Sequence, residues 1–407
     1  MNCKRLLIIG FVLISFSLGD GAQEQEKSFR EISLVVNIEV PVRVFDGSKF
    51  VENLILDDFE IFENGVRQSV QAVYRVNKDI IQRKEEKTKF QPETKRLFVL
   101  FFEVSEYDPR LGDAIDYYMQ EVLAPSDDLI VVTPTKTYTL EEDELLKRPR
   151  EDMAEDLKSF IRADALAGNS ESRAAKQDII TVARELRSLL TNENPEPFEG
   201  ERIEPLITTY TAAIDKLEFI REIDQLKLLD FANYVKSRPE QKYIYLFYEK
   251  EFLPRVETKI WTEVSSLYQN MDGLGLDRSI ADYHDYSNQE TKVDIEPVRQ
   301  AFADAGAAMH FLFISKTREV LPGVEMVERA NDVFTVFAEI SQASGGFVES
   351  SNRPDYLFQR ALEESENYYL LYYAPKHYLA DGQFKEITIR IKDKDYKIVH
   401  RAGYFAN

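Results

Sequence analysis

The stretch "FVLFFEVSEYD" (98–108) ends an almost unbroken apolar run in a carboxylate, Glu103, then places a hydroxyl at Ser105 and a phenol at Tyr107. Oxygen ligands gathered at a strand end are what a hard divalent cation requires. A carboxylate beside a hydroxyl is also raw material for hydrolysis. If neither chemistry operates, Glu103 must be solvated or paired, because an unpaired buried carboxylate is costly or takes up a proton.

Other chemistry-bearing groups are sparse. His284, His310, His377 and His400 never pair at ligand spacing, and no His-Glu-x-x-His occurs. His310 opens an apolar run and is expected to be a hydrogen-bonded core residue. "DYHDY" (282–286) gathers Asp282, His284 and Asp285, a set that could hold a cation or form a solvated loop. There is no Gly-x-Ser-x-Gly elbow and no phosphate loop. "DGLGLDR" (272–278) follows no strand, and "NMDGLGLD" lacks the acidic spacing of a calcium-binding hand loop. No cofactor is therefore expected. "NYYLLYYAP" (367–375) alternates tyrosines onto both faces, as in a strand covered on both sides; the alternative is an exposed aromatic platform.

The elements that must position these groups fall into three textures. Residues 32–76 are β-rich. "ISLVVNIEVPVRVFD" (32–46) puts Val36, Ile38, Val40, Val42 and Val44 on one face, with Pro41 indicating an edge strand. In "FEIFENGVRQSVQAVYRV" (59–76), Asn64-Gly65 between alternating runs marks a tight hairpin. Residues 78–95 are charged and patternless, which suggests a linker. From 96 onward, "RLFVLFFEV" (96–104), "LIVVTPT" (129–135), "YIYLFYE" (243–249) and "MHFLFIS" (309–315) are continuous apolar runs, the mark of strands buried on both faces. Helical spacing recurs in 109–124, 293–305, 331–344 and 353–365. The class is α/β, a doubly wound layer. Residues 141–238 show helical spacing with little strand signal, which suggests a helical hairpin inserted in that layer or two ordinary covering helices; 204–237 reads as one long helix or two. The tail offers three strands, in 367–375, 384–392 and 396–405. Neither end alone supplies a sizeable core, so the two are expected to form one small β-sandwich.

Composition narrows the classes. The formal charge of −21 would be repelled by a phosphate backbone, so nucleic acid is not an expected partner. Lys4 and Arg5, the apolar "LLIIGFVLISFSL" (6–18) and small residues to Ala22 form a signal peptide over 1–22, or an uncleaved anchor. Cys3 is the only cysteine, so the mature chain would have no disulfide or thiol chemistry. No later run is apolar and long enough for a membrane span. The expected location is periplasmic or extracellular.

"VPVRVFDGSKFVENLILDDFEIFENGVRQSVQAV", "RLFVLFFEVSE", "RPEQKYIYLFYEKEF", "ISQASGGFVES" and "NYYLLYYAPKHYLADGQFKEITIRIKDKDYKIVHRAGYF" together resemble the bacterial VWFA-related family, exported proteins with a von Willebrand factor type A domain between β-rich flanks. The resemblance implies a Rossmann-like sheet, placed over 96–365 between the expected sandwich halves at 30–77 and 366–407; the helical insertion 141–238 rests on the residue pattern and has no counterpart in the family over 141–225. The resemblance also implies binding of a protein partner rather than catalysis. In such domains an Asp-x-Ser-x-Ser run, a Thr and a second Asp hold a divalent ion at the carboxyl ends of the strands. Here the run is Glu103-Val104-Ser105-Glu106-Tyr107, which keeps only Ser105. Glu103 is one methylene longer, and the Tyr107 ring would stand where a small ligand belongs. The second Asp falls near Glu249 and Glu251, and Thr208 or Thr209 are the candidates for the Thr. Magnesium's near-octahedral demand fits such a set poorly. The expectation is a degenerate metal site at Glu103, Ser105, Tyr107 and Glu249, with no ion, in an exported interaction scaffold. The alternatives are divalent-dependent adhesion or a metal-assisted hydrolase using Glu103, Glu249 or Glu251.

Overall fold

The computed structural model describes residues 36–140, 142–191, 203–267, 280, 283–284 and 293–407. The expected signal segment 1–22, residues 192–202, "DGLGLDR" and Asp282 and Asp285 lie outside the described residues.

The N-terminal part forms β1 (Ile38–Asp46), β2 (Lys49–Phe50), β3 (Phe59–Glu63), β4 (Val66–Gln68), β5 (Val70–Asn77) and β6 (Ile80–Glu86). Asn64 and Gly65 turn β3 into β4 with φ of 46° and 77°, the left-handed pair a two-residue hairpin needs. The strand β6 corrects the linker expected over 78–95. Its "IIQRKEE" sequence carries charge because β6 is the sheet's exposed edge, paired only with β5.

The central part contributes β7 (Arg96–Glu103), α1 (Pro109–Tyr117), β8 (Asp128–Val132), β9 (Thr137–Leu140), α2 (Glu142–Lys147), α3 (Arg150–Gly168), α4 (Ser170–Leu190), α5 (Ile203–Arg221) and α6 (Gln225–Lys236). It continues with β10 (Gln241–Glu249), β11 (Phe252–Val256), α7 (Thr258–Leu267), α8 (Ile295–Ala305), β12 (Ala307–Ile314), β13 (Val324–Glu328), α9 (Asn331–Ser344), β14 (Val348–Ser351) and α10 (Pro354–Glu366). The sheet runs β14-β12-β10-β7-β8-β9, parallel except for the edge strand β9. Numbered along the chain, that order is 3-2-1-4-5-6. Helices cover both faces, which is why the strands read as continuous apolar runs. On one face Phe98, Leu100 and Phe102 meet Leu111, Leu157, Ile161 and Phe358. On the other Leu97, Val99 and Leu246 meet Val235, Phe302 and Ile340.

Residues 141–238 are not one insertion. Met153, Leu157 and Ile161 of α3 belong to the first core, and Ala232 and Val235 of α6 to the second. The chain breaks between α5 and α6 at 222–224, where Asp224 caps α6. What stands outside the layer is the α4–α5 pair. It builds a separate cluster with Leu253, Val256 and Trp261, around Ile179, Leu186, Tyr210 and Leu217.

The C-terminal strands are β15 (Asn367–Tyr373), β16 (Phe384–Ile391), β17 (Lys397–His400) and β18 (Gly403–Phe405). They interleave with the N-terminal ones. One sheet is β17-β1-β15-β5-β6 with β2 on β1, and the other β18-β16-β3-β4. Val40, Val42, Ile61, Tyr369, Tyr373, Ile389 and Tyr404 fill the space between them. The expected single strand 396–405 is two, because the chain crosses from β1's sheet to β16's at Arg401-Ala402. Pro41 is not on an edge strand: β1 lies between β15 and β17, and Pro41 falls just beyond the stretch that β17 pairs.

Candidate functional site

Alternation along β7 decides where its last charges go. Leu97, Val99 and Phe101 point to the α6–α8–α9 face, and Glu103 continues that row. Its carboxylate opens into a cavity of about 810 Å³ between the sheet's carboxyl edge and those helices. That opening makes Glu103 accessible surface, yet protein surrounds it deeply enough that burial raises its pKa above the usual carboxylate range. Among the described residues it has no hydrogen-bond or ion-pair partner.

Three neighbouring strand ends supply a second cluster. Ser105 follows β7, Glu249 ends β10 beside it, and Lys316 follows β12 on β10's other side. Ser105 donates to Glu249 Oε2 from its backbone N–H at 2.9 Å, and its hydroxyl donates to the same oxygen. The Lys316 ammonium donates to Glu249 Oε1 at 2.7 Å and to Ser105 Oγ at 3.2 Å. Lysine has only donors, so the triangle closes with each group satisfied. Glu106 lies 4.0 Å from the same ammonium. The edge is the point where connections from β7 and β10 leave in opposite directions, the place where open α/β sheets put ligands.

The expected site residues thus divide. Ser105 and Glu249 come together, while Glu103 faces the cavity and Tyr107 turns away. The Tyr107 ring packs on the first core with the Arg162 guanidinium 4.9 Å above it. Its hydroxyl reaches α1 at Gly112, where an added Cβ would lie 2.9 Å from it. The expectation that this ring fills an ion's place is therefore corrected: Lys316 stands beside Ser105 and Glu249 instead. Glu251 pairs with Lys176 at 3.0 Å. Thr208 and Thr209 are exposed on α5, and Thr208 bonds its own helix at Glu204 O, so neither joins the site. His310 is fully buried, stacked on Tyr245 and tilted against Phe347, but among the described residues neither ring nitrogen has a hydrogen-bond partner. Burial holds its pKa well below the usual value. His284 meets the Tyr210 hydroxyl at 2.5 Å, and Tyr283 bonds Asp215, so the described part of "DYHDY" rests on α5. Sequence reasoning missed Lys316 by stopping at the strand end Ser315. A cation after a third apolar run, when two others end in glutamates, was the available signal.

Among the described residues no group of three or more His, Cys, Asp or Glu is placed to hold a metal ion, and no helix is long and apolar enough to cross a membrane. No family model and no curated protein matches the chain. Among solved structures, the human COPII-coat protein Sec24c is similar at 7% sequence identity with a TM-score of 0.29, over 78% of this chain and 44% of that one. This chain spans less than half of that structure's length, and a likeness of this degree carries no functional argument.

Proposed function

We propose that this protein is an exported, non-enzymatic scaffold that binds a protein partner, built on a von Willebrand type A-like sheet whose ion site is closed by a lysine. The observation that carries the reading is the Lys316 ammonium bridging Glu249 and Ser105. Those are two of the positions at which the family resemblance puts ion ligands. The strand order 3-2-1-4-5-6 is that of a Rossmann-like sheet and supports the same reading.

The residues present do not fit the divalent ion of that family. A small hard cation takes about six oxygens at roughly 2.0–2.1 Å. Here one carboxylate and one hydroxyl converge, and both already bind an ammonium. A metal-assisted hydrolase would need Glu103, Glu249 and Glu251 to act together. All three line the same cavity, but Glu249 is held by Lys316 and Glu251 by Lys176, which leaves Glu103 alone of the three unpaired among the described residues. The signal-like segment 1–22 favours a periplasmic or extracellular location.

The test is a thermal melt with magnesium, calcium and manganese. The wild type is expected to show no saturable shift, and Lys316→Ala to gain a manganese-dependent rise that Glu249→Gln in the same chain removes. A saturable shift in the wild type, lost in Glu249→Gln, would overturn the reading.

A further inference from the structure

The cavity beside Glu103 is large and mainly apolar. Its volume lies within the range of small-molecule sites, about 300–1,000 Å³. Phe101, Val132, Phe231 and Tyr248 belong to the second core but remain partly accessible, because they also line this chamber, where the Phe101 and Phe231 rings meet edge to face with centroids 4.9 Å apart. Along the wall of Phe101, Val132 and Phe231 water finds few hydrogen-bonding partners, so an apolar chain gains by displacing it there.

Charge selects the occupant's polar end. Most of the lining cations are already held: Lys176 by Glu251, Arg221 by Asp332, Lys227 by Asp224, Lys250 by Glu328 and Lys316 by Glu249, while Arg173 donates to the Leu166 carbonyl. Glu103, at the head of the apolar row Leu97-Val99-Phe101, is held by nothing among the described residues. Burial disfavours its ionised form, a cost that a cationic partner would relieve. The chain's net charge of −21 also draws cations and repels anions. A fatty acid would find five of the six lining cations paired with carboxylates and would face the unpaired anion of Glu103.

We propose that this chamber binds an apolar small molecule bearing a protonated amine, its chain among Phe101, Val132 and Phe231 and its ammonium on Glu103. The proposal does not depend on the role given to Lys316.

Calorimetry on the full chain with decylamine, decanol and decanoate tests it. Decylamine is expected to bind about tenfold or more tighter than decanol, the worth of one charge-assisted bond, with decanoate weakest. Glu103→Gln should bring amine and alcohol to within about threefold of each other, while chain binding persists. Val132→Trp should block all three. If its melt shows that it does not fold, Leu228→Trp, on α6 at the same wall, serves instead. The proposal fails if none of the three binds the wild type, if decanoate matches decylamine, or if the amine preference survives in Glu103→Gln.

Discussion

Strand β7 begins with Arg96 and ends with Glu103, and the two charges meet opposite fates. At the amino end Arg96 and Asp127 are both inaccessible to solvent. Arg96 donates from Nε to Asp127 Oδ1 at 3.1 Å and from Nη2 to Oδ2 at 2.6 Å, and Nη2 also reaches Val122 O. Asp127 accepts the Ala124 N–H as well, and the guanidinium lies 4.9 Å from the Phe98 ring centroid. At the carboxyl end Glu103 has a cavity in place of a partner. One strand thus carries a charge paired with a counter-ion inside the fold, although Arg96 Nη1 has no hydrogen-bond partner among the described residues, and another charge left for something outside it. Desolvated charges persist in cores when a counter-ion is held close; one left unpaired beside a chamber points to a ligand.

The largest expected effect breaks the amino end. Asp127→Ala leaves the Arg96 guanidinium buried without its counter-ion and should cost about 3–5 kcal/mol in urea unfolding. Replacing both partners, Arg96→Met with Asp127→Leu, should recover most of that loss. A single-variant loss under about 1 kcal/mol would erase the contrast between the two ends.

His310, two strands from β7, combines features of both ends: it is buried like Arg96 and unbonded like Glu103. The unfolded imidazole takes up a proton near pH ~6.5, and the folded one only far below it. Stability should therefore fall as pH drops below ~6.5, by up to about 1.4 kcal/mol per pH unit from this group. His310→Phe should reduce that slope by one proton's worth; an unchanged slope would show that the ring finds a proton acceptor or water.

Glu103→Gln sharpens the carboxyl end with a smaller effect of opposite sign. The folded pKa of Glu103 is raised, so its contribution is fully present below the unfolded value of about 4.3 and lost as pH rises through the folded one. The variant should gain on the wild type over that rise, by less than Asp127→Ala loses, because the cavity lets water reach the carboxylate. A pH-independent difference would mean that Glu103 titrates as a surface group.

Much of this layout was legible in residue patterns. The run 96–104 placed Glu103 at the end of a buried strand, and Asn64-Gly65 marked the hairpin between β3 and β4. The continuous runs located four of the parallel strands. Short edge strands were not legible: "TYTL" in β9 and "VESS" in β14 have too few apolar positions to set a period. In the charged strand β6 the pattern reports solvent rather than pairing. Spacing also failed at Tyr107. It set the residue's place in the run, but the direction of the ring depends on the room at Gly112 and the Arg162 guanidinium, which only tertiary packing brings there.

The late strand β15 sits between β1 and β5, and Tyr372 bonds Glu39 from 333 residues away. Until residues 367–373 have left the ribosome, β1 and β5 lack the neighbour they share, so assembly of that sheet must wait for β15. A chain arranged this way is kept from maturing early.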